Sequence, residues 1–415
     1  MVEPTTNTDT ADDSTGGGRG PGLLAGLKVV EFTQVVAGPL AAAFLSDLGA
    51  DVVHVEPPRA GDPARVMGPK KGDTYLWWKV AGRNKRSVTL DLRTAEGQKV
   101  AKRMVRWADV VLVSLRQPTL IEWGLDWQSL HAENPRLVVL QISGYGANGS
   151  MAGAPGFGKM GEARSGIVNL TGPADGPPMH VGFSHGDTVT GLMGAYAILA
   201  ALYRRSNDPD FDGEWIDVAL FEPLFRLNEW QVIVHDQLGM IPGRMGNKMA
   251  IAPAAVVNTY QSRDSDWITV TSATLKSVIS IVRLIGLDES RFQTADDQNA
   301  NGAEIDRVLA GWIAQHSTEE ALAKLTEANV VASRIFTIAD IMQDPIYAER
   351  EDIITVADPD LGPIKMQAVI PRFENHPGTV WRSGPALGQD NDMVYTDWMG
   401  LSESEIAELR ESGTI

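Results

Sequence analysis

The chain has 415 residues, a formal net charge of −17 and no cysteine. The length exceeds one ordinary core and predicts two domains, while the charge repels nucleic acid and anionic membrane surfaces. The missing thiols exclude disulfides, iron–sulfur clusters and thiolate metal sites, and they fit a reducing, cytoplasmic setting.

Residues 1–22 are rich in Thr, Asp, Gly and Ser and carry no apolar core segment, which predicts a disordered tail and not a secretory signal. An apolar run at Leu27–Phe32 reads as a strand, small residues after Gly38-Pro39 as a helix through Leu48, and Asp51–Val55 as a second strand. The alternation continues with a strand at Ser87–Leu92, a helix at Ala95–Trp107, and strands at Asp109–Val113 and Leu137–Ile142. This order predicts an α/β fold with a parallel sheet. Thr188–Tyr203 is apolar, rich in Gly and Ala and too short to span a bilayer, so a helix enclosed in the protein is expected. The pattern changes after Phe221. A strand at Asp266–Thr271 and helices at Leu275–Leu287, Gly302–Gln315 and Thr318–Ala328 predict a small domain over 222–330. The large domain is expected over 23–221, with 331–415 packing back on it.

Few motifs carry chemistry. The first strand–helix turn, Thr33 to Pro39, lacks the Gly-x-Gly-x-x-Gly of dinucleotide sites. Arg59 to Arg86 concentrates basic residues in an acidic protein, as either a phosphate-binding patch or a solvated face. Gly182-Phe183-Ser184-His185-Gly186 matches a hydrolase nucleophile elbow, but the Pro-rich residues before it cannot form the buried strand an elbow requires. The seven histidines are scattered without ligand spacing, so no metal is expected, and each reads as a surface or packing residue. The tryptophans, Trp77, Trp78 and Trp123 among them, are either an aromatic ligand wall or core. Asp175, in Thr171-Gly172-Pro173-Ala174-Asp175-Gly176-Pro177-Pro178, is either a rigidly mounted nucleophile or an ordinary turn residue.

Several segments in this order resemble the family III CoA-transferases: Gly26 to Phe32, Ala37-Gly38-Pro39, Leu48 to Val53 with Glu56, Asn84 to Leu92, Ser143 to Gly146, Thr171 to Pro178, Gly186-Asp187, Gly213 to Val218, Arg244 to Asn247 and Pro385 to Gly388. The resemblance implies a Rossmann-like large domain built from both chain ends, a smaller α/β domain, and two ring-shaped subunits interlocked as a dimer, or a heteromer with a paralogue. It implies an acyl-CoA thioester and a free carboxylic acid as substrates and no permanently bound cofactor. Asp175 is the implied nucleophile, forming first an acyl anhydride and then an aspartyl-CoA thioester. An aspartate is ionised at neutral pH, so no histidine base is needed. An oxyanion site is needed, for which the glycine-containing loop Gly243 to Gly246 is the candidate.

By the same resemblance CoA touches Gln34, Val35, Val36, Ala37, Leu90, Arg93, Ser114, Leu115, Trp123 and Ser143. Several of these differ from the formyl-CoA transferase pattern, which disfavours oxalate as acceptor; Trp77, Trp78 and Val36 point to a larger or more apolar acid. Two alternatives stay open. An α-methylacyl-CoA racemase would use Asp187, but the partner histidine of that family falls on Phe157. A non-catalytic CoA-binding subunit would bind without turnover.

Overall fold

The computed structural model describes residues 22–415 apart from 250, 251 and 253, so the expected tail lies outside the described residues except for Gly22. Six strands lie side by side: β1 Lys28–Phe32, β2 Asp51–Glu56, β3 Arg86–Thr89, β4 Val110–Val113, β5 Val138–Ser143 and β6 Glu214–Ala219. All neighbours are parallel and the order is β3-β2-β1-β4-β5-β6. Parallel strands buried on both faces need continuous apolar runs, and β4, Val-Val-Leu-Val, is buried throughout. Alternate residues serve opposite faces. Val30, Val53, Val88 and Val111 enter one core, and Val29, Val52, Val110 and Val138 the other. Strand order reverses between β1 and β4, which opens a crevice at their carboxyl ends, the usual ligand position in open α/β sheets.

Helix α1, Ala37–Asp47, follows β1, and α2, Ala95–Trp107, follows β3. Thr94 caps α2 by accepting from the Gly97 N–H, and Val100, Ala101, Met104 and Val105 form its buried stripe. Helix α3, His185–Asn207, lies against α1 closely enough that a Cβ on Gly191 would stand 2.8 Å from the Ala37 carbonyl oxygen. The enclosure expected of this helix holds for that face alone. Leu192, Tyr196, Leu199 and Tyr203, spaced along the opposite face, are exposed.

Residues near the carboxyl end complete the first core. Val394, Tyr395, Met399, Leu401, Ile406 and Leu409 pack on the β1–β4 face. They also satisfy the edge strand β3: Ser87 N–H donates to Asp390 Oδ2 at 2.9 Å, Thr89 N–H to Asn391 Oδ1 at 2.9 Å, and the Tyr395 hydroxyl donates to the Thr89 carbonyl at 2.6 Å. An edge covered in this way cannot pair with another chain.

The chain divides into two compact units. One comprises the residues up to Gly161 with Phe183–Leu224 and Ala348–Ile415; the other comprises Glu162–Gly182 and Phe225–Tyr347. Residues 162–182 and 331–347 therefore sit in the second unit, outside the expected 222–330. In that unit β7 Val256–Gln261, β8 Trp267–Ser272 and β9 Ala332–Arg334 form an antiparallel sheet, and it is the β8–β9 pairing that draws in the segment beyond 330. Helices α4 Leu275–Leu284, α5 Gly302–Ile313 and α6 Thr318–Glu327 cover it over a core of Ile268, Val270, Ile281, Ile305, Leu309 and Leu325. No helix among the described residues is long and apolar enough to cross a membrane.

Candidate active site

A cavity of about 510 Å³ opens in the first unit at the point where the strand order reverses. Its walls are the turn Gln34–Gly38 after β1, Ser114–Arg116 after β4, Ser143-Gly144 after β5, Leu220 after β6, and Gly156–Lys159. Helix α1 begins here without a capping side chain or an acidic residue in its first turn, leaving the positive end of its dipole facing the cavity.

Asp187 is the one acidic residue among those lining this cavity. It stands in the first turn of α3. Its carboxylate lies against the backbone of Gly158: a Cβ there would be 2.1 Å from Asp187 Oδ2 and 2.5 Å from its Cγ, so any side chain at 158 would displace the carboxylate. Phe157, next in the wall, is exposed, and Lys159 Nζ donates to the Phe183 carbonyl at 2.8 Å.

The turn after β1 is held from behind. Val35 has a φ of 72°, a left-handed conformation that β-branched residues avoid. Its N–H is shared by the two carboxylate oxygens of buried Asp62, at 3.1 and 3.0 Å, and the Gln34 N–H donates to Ser114 Oγ at 3.3 Å. Behind Asp62 lies a buried charge cluster. His54 sits 2.9 Å from Glu31 and 3.4 Å from Asp62, Lys85 Nζ is 2.7 Å from Glu31, and Arg65 pairs with Glu56 at 2.6 Å. Three cations thus balance three carboxylates. Neither His54 nitrogen has a hydrogen bond of good geometry, so its contacts are ion pairs. Burial pushes the Glu31 carboxyl up, but Lys85 and His54 outweigh it and hold it at about 2. Burial pushes His54 down, but Glu31 and Asp62 outweigh it and hold it at about 9, so this histidine is a cation at neutral pH.

Gln34, Val35, Val36, Ala37, Ser114, Leu115 and Ser143, expected to touch CoA, all line this one cavity. Leu90, Arg93 and Trp123 do not. Leu90 is buried in the core under the sheet, Trp123 packs against that core, and Arg93 is exposed and paired with Asp91 at 2.7 Å. Asp175 is exposed in the second unit and is not among the lining residues. Its segment is closed by the Met179 N–H donating to the Thr171 carbonyl at 2.9 Å. The glycine-containing loop meets it there: the Gly246 N–H donates to the Gly172 carbonyl at 3.1 Å and Arg244 to the Gly176 carbonyl at 3.0 Å. Ser184 precedes α3 as its cap position, with no strand before it, so no nucleophile elbow forms.

The model of the family described as CoA-transferase family III matches residues 24–391. The chain belongs to the family III CoA-transferases. This CoA-transferase is 38% identical over 404 residues to the succinyl-CoA–D-citramalate CoA-transferase of Chloroflexus aurantiacus, covering 96% of this chain and 99% of that one. It is 32% identical to the succinyl-CoA–L-malate CoA-transferase beta subunit of the same organism, covering 94% and 98%. A crystal structure of a CAIB/BAIF family protein from Brucella suis superposes with a TM-score of 0.80 at 31% identity, covering 91% of this chain and all of that one.

Proposed function

We propose that this CoA-transferase moves CoA from an acyl-CoA to a free carboxylic acid through a carboxylate nucleophile, and that the nucleophile is Asp187. The observation that carries this reading is its place as the sole acidic lining residue of the switch-point cavity. The resemblance puts the role on Asp175, which is the competing assignment. The chemistry is the same for either. The carboxylate attacks the thioester carbonyl and expels CoA thiolate, leaving an acyl–aspartyl anhydride. The thiolate then attacks the aspartyl carbonyl, releasing the donor acid and forming an aspartyl-CoA thioester. An acceptor carboxylate attacks that thioester, and the expelled thiolate takes the new acyl group and restores the aspartate. Charge developing on the carbonyl oxygens favours the uncapped N-terminus of α1.

Trapping decides between the two carboxylates. Incubation with succinyl-CoA followed by borohydride or hydroxylamine should modify Asp187 in a peptide digest, and Asp187→Ala should abolish transfer while Asp175→Ala retains it. Modification at Asp175 with an active Asp187→Ala variant would reverse the assignment.

The racemase alternative also uses Asp187, and its test is exchange of the α-hydrogen of a 2-methylacyl-CoA in D₂O. Phe157 cannot carry the second proton, so no exchange is expected. A non-catalytic subunit would bind CoA and fail the trapping experiment. The relatives named for citramalate and malate transfer support a di- or hydroxycarboxylic acid as acceptor, to be tested by an acid panel against succinyl-CoA and acetyl-CoA. A cytoplasmic location and an interlocked dimer, or a heteromer with a paralogue, complete the proposal. The exposed Leu192, Tyr196, Leu199 and Tyr203 support a subunit contact along α3.

A further inference from the structure

We propose that Asp62 is a positioning residue for this reaction: its buried carboxylate holds Val35 in the left-handed conformation and thereby fixes the wall between the switch-point cavity and a second cavity beside it. The proposal rests on the reading of the switch-point cavity as the acyl-CoA site. Val35 and Val36 line that cavity and also a second one of about 590 Å³ in the same unit, whose walls include Leu40, Phe44, Val80 and Phe183. The two cavities share Val35, Val36, Trp77 and Ser184, so the turn is part of the partition between them.

A valine does not take a φ of 72° unless something holds it. The holder is visible. Asp62 receives the Val35 N–H on both oxygens, and it is itself fixed by three contacts: it accepts from Ala64 N–H at 2.8 Å, its own N–H donates to Glu56 Oε2 at 2.8 Å, and His54 lies 3.4 Å away. Side chains behind the wall therefore dictate the backbone of residues that line it. Without the Asp62 carboxylate, Val35 relaxes to negative φ, the following peptide turns, and the groups at Val36 and Ala37 no longer present the same surface to a ligand.

Glycine adopts positive φ without the steric cost, so it should make the latch unnecessary. The test uses binding of free coenzyme A by calorimetry on the full chain. Asp62→Asn should weaken CoA binding about tenfold, and adding Val35→Gly should restore it to within threefold of wild type. A general structural role for Asp62 would lower the melting temperature without that rescue. Should Asp62→Asn not fold, Val35→Pro, which imposes negative φ and removes the N–H, should weaken CoA binding by at least the same factor. Wild-type affinity in Asp62→Asn or Val35→Pro, or no rescue by Val35→Gly, overturns the proposal. Ala154→Trp fills the cavity from its other side and separates the two claims. Unchanged CoA affinity there would remove the cavity reading itself, whereas lost binding there with unaltered Asp62→Asn would remove the latch alone.

Discussion

Gly158→Ala is the sharpest probe of Asp187, because the new methyl acts on the carboxylate and on little else. The added Cβ would stand 2.1 Å from Oδ2, 2.5 Å from Cγ and 2.8 Å from Oδ1 of Asp187. Ordinary contact begins near 3.4 Å, so the whole carboxylate must swing by about 1 Å or more; rotating the terminal oxygens alone does not clear the clash. Gly158 is not at positive φ and opens the helix Gly158–Arg164, so alanine fits its backbone and should lower the entropy of the unfolded chain. A displacement of about 1 Å in a reacting group costs about 100-fold in rate, equivalent to about 2.7 kcal/mol in the barrier. Initial rates of acyl-CoA formation, separated chromatographically, should fall by that factor with a melting temperature within a few degrees of wild type. Activity within threefold of wild type in the folded variant would refute the placement of the nucleophile at Asp187.

Further expectations concern the charge cluster and the carboxyl-terminal cover. Removing Lys85, whose ammonium is 2.7 Å from Glu31 and donates to the Pro39 carbonyl at 2.6 Å, leaves a buried carboxylate short of its partner; Lys85→Met should cost about 3–5 kcal/mol in urea unfolding. His54, raised from 6.5 to about 9, contributes stability that is full below pH 6.5 and lost as pH rises through 9, while Glu31, lowered from 4.5 to about 2, contributes above pH 4.5 and loses its share as pH falls through 2. Urea midpoints should therefore change least between pH 4.5 and 6.5 and decline above it, and His54→Gln should flatten the alkaline decline. Tyr395→Phe leaves the Thr89 carbonyl without its 2.6 Å donor and should cost about 1–3 kcal/mol by the same assay.

Five of the six sheet strands are legible in the sequence as largely apolar runs, and α2 because its polar face is so regular; β6 is missed, because Glu214 and Asp217 interrupt its apolar pattern. The cavity is not legible in the sequence, because it depends on β1 and β4 being neighbours, which the strand readings alone do not fix. What stayed hidden was pairing over long separations. Arg65, Lys79, Arg83 and Lys85 belong to the stretch read as either a phosphate-binding patch or a solvated face, yet their partners are Glu56, Asp358, Asp47 and Glu31, and their charge is spent inside the fold. His54, read as a surface or packing residue, is buried and charged. A signal existed: Glu31 and His54 interrupt otherwise apolar strands, and two ionisable residues of opposite sign in neighbouring central strands invite a partnership. Asp175 is singled out by the family resemblance, since its glycines and prolines by themselves describe a turn equally well. Local composition carries no information on which carboxylate reaches the crevice, and Asp187 is delivered there by the packing of α3 on α1.

The cover over β3 sets a timetable for synthesis. Thr89 and Asn391 are 302 residues apart, and at about 5–20 residues per second the ribosome needs roughly 15–60 s to travel between them. Throughout that interval the nascent sheet has an open edge and lacks the apolar side chains of 394–409 that seal one of its faces. The unit cannot finish folding domain-first during translation, and a chain stopped before residue 390 would present to chaperones and proteases the surface that the intact enzyme conceals.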